Sequence, residues 1–189
     1  MHRGTLIVLA GPSGVGKGSV VERLRSRDPE GLALSISATT RPMRPGEADG
    51  VDYQFVDDVG FDRMVERDEL LEWAEVYRGR RYGTPRPFVE RTLGEGIDVI
   101  LEIDVQGAAL VRAQAPDAVL ILLTPPSMEA LEARLRGRAT EDEASIAERM
   151  AEAVHELEQG DWFDHVVVND EVGRAADEVA AIIERSRTR

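Results

Sequence analysis

An α/β fold with a parallel sheet covered by helices on both faces is the architecture that this 189-residue chain predicts. Three observations carry it. Short aliphatic runs recur at residues 5–10, 32–36, 98–103, 118–123 and 165–168, as strands buried on both faces require. Amphipathic helical patterns lie between most of them. A glycine-rich loop joins the first run to the first helix, and open sheets of this kind bind ligands at the carboxyl ends of their strands.

The first strand, residues 5–10, is followed by Gly11, Pro12, Ser13, Gly14, Val15, Gly16 and Lys17. Val20, Val21 and Leu24 then give the next helix one apolar face. Strand, glycine loop and helix in that order form a phosphate-binding loop, whose backbone N–H groups and helix dipole attract an anion. The chain has 22 arginines and a single lysine, and that lysine is Lys17. Lys17 is therefore read as the cation on the outer phosphates. Gly18 stands where a Ser or Thr hydroxyl commonly binds magnesium, and Ser19 follows at once.

Residues 37–90 interrupt the alternation with turn residues, all three tyrosines, and Arg41, Arg44, Arg78, Arg80, Arg81 and Arg86. This suits a module for a second ligand; an irregular excursion of the fold is the alternative. After the strands at 98–103 and 118–123, helices are expected at 127–136 and 141–159. The second carries a stripe of Ile146, Met150, Val154 and Leu157. Between them, residues 132–138 are rich in arginine. Such a run is commonly a solvated face paired with Glu129, Glu132 or Glu148, but beside a phosphate loop it is read as a lid bearing Arg134, Arg138 and Arg149. A last strand at 165–168 precedes a helix with Ala176, Val179, Ile182 and Ile183 on one side.

Composition narrows the function. A net charge of −13 argues against non-specific binding to nucleic acid or an anionic membrane. With no cysteine there is no disulfide, thiolate nucleophile or zinc–thiolate site, and His2, His155 and His165 are too scattered for a metal site. No apolar run approaches the roughly 18 residues of a membrane span, and the first 15 residues lack a secretory signal. The expected setting is cytoplasmic.

The chain resembles the guanylate kinase family across nearly its whole length. The likeness is carried by residues 11–17, 35–47, 50–53, 71–75, 82–84, 102–107 and 168–170, in order and spacing. It implies a P-loop NTPase-type core with an inserted GMP-binding region and a helical lid, dividing the chain into core (1–36), GMP region (37–90), core (91–126), lid (127–150) and core (151–189). It implies that Ser37, Arg41, Arg44, Tyr53 and Tyr82 hold the GMP phosphate, and that Glu72, Thr84 and Asp104 read guanine. Carboxylates suit the guanine N1–H and 2-amino donors, and a hydroxyl suits O6. ATP would lie on residues 11–19 with Arg134 and Asn169. Ser19 and Glu102 would hold magnesium, mainly through water. Three positions depart from the family pattern: Glu102 in place of aspartate, Ala139 in place of a lid glycine, and one extra residue before Tyr82.

The reaction so implied is ATP + GMP ⇌ ADP + GDP. Lys17, Arg41, Arg134, Arg138 and Arg149 would stabilise charge on the transferring group. No side-chain base is required, because a phosphate monoester is already largely dianionic at neutral pH. A non-catalytic binding module of the same fold, and a related kinase acting on another small phosphorylated acceptor, are the alternatives.

Overall fold

The computed structural model describes residues 3–76, 79–137 and 143–187. In chain order the elements are β1 (Leu6–Ala10), α1 (Lys17–Arg27), β2 (Leu32–Ser35), β3 (Ala38–Thr39), β4 (Gln54–Phe55), α2 (Asp58–Glu66), β5 (Leu70–Val76) and β6 (Arg80–Pro85). They continue with α3 (Arg86–Gly94), β7 (Asp98–Glu102), α4 (Val105–Gln114), β8 (Val119–Thr124), α5 (Met128–Arg136), α6 (Glu143–Glu158), β9 (His165–Val168) and α7 (Val172–Ser186).

Five strands pair in parallel in the order β2-β7-β1-β8-β9. As the central strand, β1 is buried along its whole length, which is why its sequence carries no polar face. Its side chains alternate between two cores. Ile7 and Leu9 point to one built with Val20, Val21 and Leu24 of α1, Leu131 and Leu135 of α5, and Val179, Ile182 and Ile183 of α7. Leu6, Val8 and Ala10 point to the other, with Val89 and Leu93 of α3 and Val105, Ala108 and Val111 of α4. The five strands fall within a residue or two of the aliphatic runs.

A second sheet, ordered β4-β3-β6-β5, comes from residues 38–85 and is antiparallel except for the β3–β4 pair. Helix α2 closes it with Phe61, which packs with Ala38 and Leu70. Arg81 of β6 lies 4.7 Å above the Phe61 ring and bonds to Asp58 and Asp62, holding α2 on the sheet.

The expected stripe on α6 is corrected at one position. Val154 is 46% exposed and Ala153, at 1%, takes the inward place. Ile146, Met150, Ala153 and Leu157 form the narrower face.

Candidate active site

The parallel register sets Leu9 beside Glu102, so the loop leaving β1 and the turn leaving β7 open side by side. A cavity of about 590 Å³ lies there, bounded on its far side by the second sheet and by α6.

Residues 11–17 wrap one end. Gly16 has φ 101°, and a Cβ there would stand 2.5 Å from Nδ2 of Asn169, so glycine answers both a backbone and a space requirement. Asn169 Nδ2 donates to the Val15 carbonyl at 2.7 Å. Arg134 braces the same place from α5, donating to the carbonyls of Val15 at 3.0 Å and Asn169 at 2.8 Å. Lys17 opens α1 and folds back, its ammonium donating to the carbonyls of Gly11 at 2.5 Å and Pro12 at 3.3 Å. The first turn of α1 carries no acidic residue of its own, and its dipole favours an anion there. From α6, Arg149 donates to Ser13 Oγ at 3.1 Å.

The other end holds Ser37, Arg41, Arg44, Tyr53 and Tyr82. Arg41 is only 4% exposed. It makes a two-point pair with Glu47, at 2.9 and 2.7 Å, and also donates to the Pro42 carbonyl. Glu47 accepts in addition from the Arg44 N–H at 2.7 Å. The Arg41 guanidinium holds the Glu47 carboxyl below the usual carboxylate range, and Glu47 in turn raises Arg41. Tyr53 lies 5.0 Å beneath the Arg41 guanidinium and edge-on to Tyr82 at 5.9 Å; burial pushes its phenol up.

Glu72 of β5 is 7% exposed. Burial is the main reason its carboxyl is raised to about 7; the Thr84 hydroxyl opposes the shift and Asp104 adds to it. Thr84, paired opposite on β6, donates to Glu72 Oε1 at 2.7 Å. Asp104 caps α4 by accepting from the Gly107 N–H at 2.7 Å.

The cavity wall therefore gathers Ser13, Lys17, Ser19, Ser37, Arg41, Arg44, Tyr53, Glu72, Tyr82, Glu102, Asp104 and Arg149. Thr84 stands behind Glu72, while Arg134 and Asn169 brace the loop from outside the wall. Arg138 and Ala139 lie outside the described residues. Glu47, Glu152 and Glu156 also line the cavity, and sequence reasoning gave them no role. Glu47 falls inside the motif that holds Arg41 and Arg44, six residues from Arg41, a spacing that could have suggested the pair. Glu156 follows Arg149 by seven residues, two helical turns on, and could have been found from that periodicity.

Comparison with known proteins agrees with this geometry. The family model described as guanylate kinase matches residues 3–186. A guanylate kinase of Synechococcus sp. is 52% identical over 181 residues, covering 96% of this chain and 82% of the relative. One from Thermobifida fusca is 54% identical over 178 residues, covering 94% and 90%. The crystal structure of guanylate kinase from Anaplasma phagocytophilum superposes with a TM-score of 0.81 at 33% identity, covering 100% of this chain and 89% of that one. The SH3-kinase fragment of tight junction protein 3 has a TM-score of 0.54 at 12% identity, covering 100% of this chain and 58% of that one, and shares the fold alone. A phosphate loop and an arginine–tyrosine–carboxylate pocket facing each other, in a chain matched from end to end at this level, place it in the guanylate kinase family.

Proposed function

We infer that the protein transfers the γ-phosphoryl group of ATP to GMP, giving ADP and GDP. One observation carries this reading: a single cavity joins a phosphate loop to a second, chemically different set of groups. The loop suits a triphosphate. The second set pairs cations and phenols, suited to a phosphate dianion, with carboxylates suited to the donor edge of guanine.

In the reaction an oxygen of the GMP phosphate attacks the γ-phosphorus. The bond from that phosphorus to the β–γ bridging oxygen breaks, and ADP departs. Lys17 releases the Gly11 and Pro12 carbonyls to take phosphate oxygens. Arg41 and Arg44 with Tyr53 and Tyr82 hold the acceptor phosphate in line, and Ser37 lends a hydroxyl beside it. Arg149 leaves Ser13 for the transferring group, and Arg138 is assigned the same task from the lid. Arg134 and Asn169 support the ATP side. The buried Oδ1 of Asn169 lacks a partner, and the 6-amino group of adenine is a donor that suits it. Glu72 and Asp104 accept from guanine N1–H and the 2-amino group, while Thr84 fixes Glu72. Adenine inverts donor and acceptor there, which supports discrimination of about 10⁴.

Ser19 and Glu102 fit magnesium. Both offer hard oxygen donors on one wall, and a Cβ at Gly18 would stand 3.6 Å from both oxygens of Glu102, so that carboxylate lies over the first turn of α1. When bound, the ion supplies charge neutralisation between the phosphates. We assign residues 37–90 to acceptor binding and 127–150 to the lid, with 1–36, 91–126 and 151–189 as the core. Among the described residues no helix is long and apolar enough to cross a membrane. A cytoplasmic setting suits an enzyme that draws on ATP.

The test is coupled ADP release with ATP and GMP, AMP, CMP or UMP in turn. Release with GMP alone is expected. Release with AMP but not GMP would overturn the guanine assignment, and release with none would point to a binding module.

A further inference from the structure

Helix α6 turns three charged side chains to the cavity: Arg149, Glu152 and Glu156. Their spacing of three and four residues puts them on one face. Arg149 reaches the phosphate loop at Ser13. Glu156, about 10 Å further along the helix axis, accepts from the Val105 N–H at the start of α4 and feels the charges of Lys17, Asp104 and Glu152. Its Oε2 is buried without a hydrogen-bond partner.

This is a costly arrangement for a folded chain. A buried acceptor without a donor loses its hydration and gains nothing in return, and an apolar side chain of similar shape would be cheaper. Burial, with Asp104 and Glu152 nearby, raises the carboxyl to about 7, against the pull of Lys17. Packing alone does not account for a carboxylate here, whereas the reaction offers it a use. Arg149 has to travel from Ser13 to the phosphates, and Lys17 has to leave the loop carbonyls. A fixed point on α6, bonded to the Val105 N–H at the start of α4 and within electrostatic reach of Lys17 at the start of α1, sets where that travel begins.

We propose that Glu156 is a positioning residue for phosphoryl transfer: set among Lys17, Asp104 and the Val105 N–H, it fixes α6 against the cavity and so the place from which Arg149 reaches the transferring group. The proposal rests on the ATP–GMP reading and deepens it. Glu156 neither accepts a proton from the substrate nor bonds the reacting atoms; it acts through Arg149 and Lys17.

The test compares wild type with Glu156→Gln, Glu156→Met and Glu156→Asp, measuring kcat, KM for ATP and for GMP, and Tm. The Gln and Met chains should lose about tenfold or more in kcat while each KM stays within about threefold, and their Tm should equal or exceed that of wild type. The Asp chain should recover part of the loss. Adding Glu156→Gln to Arg149→Ala should cost less than the product of the two single losses, because the two act as a unit. Unchanged kcat would overturn the proposal. So would a loss of turnover matched by a fall in Tm in both the Gln and Met chains, which marks a structural residue, or full multiplicativity with Arg149→Ala. A wild type without GMP-dependent ADP release removes the ATP–GMP reading and this one with it. An active wild type whose Glu156 variants match it removes this one alone.

Discussion

Glu72 shows how a side chain assigned to guanine recognition carries a cost to folding. Its carboxyl, raised to about 7 mainly by burial, binds a proton in the folded protein over a pH range where the unfolded chain does not. Stability linked to this group is therefore present below the unfolded value near 4.5 and is lost as pH rises through about 7. Glu72→Gln should accordingly stabilise the protein at pH 8 by up to about 3 kcal/mol, with little gain at pH 4, as read by urea titration at the two pH values. The same change should cut kcat/KM for GMP by at least about a hundredfold, because the N1–H and 2-amino donors lose their carboxylate. Glu47 offers a second case. Glu47→Gln breaks the two-point pair that holds Arg41, and KM for GMP should rise about tenfold with KM for ATP unchanged. Arg41, Glu72 and Asp104 were singled out in the sequence through the family resemblance, and all three line the same cavity. Glu47 and Glu156 were not singled out: their spacings from Arg41 and Arg149 gave a hint, but the partners that define them are brought together by folding.

At the scale of elements, the turn from β1 into α1 is the most exacting. An alanine at Gly16 would take a left-handed φ and bring its Cβ to 2.5 Å from Asn169 Nδ2. Gly16→Ala should weaken ATP binding at least about tenfold in a calorimetric titration, while GMP binding, at the far end of the cavity, stays near wild type. This turn and the five parallel strands could be read in advance, because burial on both faces leaves an unmixed aliphatic signature. The second sheet could not. Strands β3 and β4 have two residues each, too few for a period to show. In β5, buried Glu72 and 41%-exposed Trp73 invert the usual pattern; pairing with β6 and the binding pocket, not local preference, decide its form. Val154 was misplaced for a related reason: a helical stripe fixes a direction only to within a residue, and the inward place fell to Ala153.

For the whole molecule, three elements of the main core are tied by one arginine. Arg187, just past α7, bonds Asp98 at the start of β7 at 2.6 Å and Asp28 at the end of α1 at 3.0 Å. Asp98 is 3% exposed and accepts from the Thr5 N–H at 2.6 Å as well. Arg187→Ala leaves that buried carboxylate with one partner fewer, at about 2 kcal/mol, and should lower Tm by about 6 °C in differential scanning calorimetry without changing kcat. Nothing in the sequence announced this tie, which joins residues 89 and 159 positions apart. The overall order of strands and helices was nonetheless readable, since it follows from the alternation of apolar runs.

The solitary Lys17 gives the molecule a built-in reporter. With no other ε-amine in the chain, an acylating reagent has one side-chain target, once any α-amino group, the less basic kind of amine, has been blocked at neutral pH. The mass added per chain then measures the share of molecules whose phosphate loop holds no nucleotide, and protection by ATP becomes an occupancy scale that needs no label and no turnover.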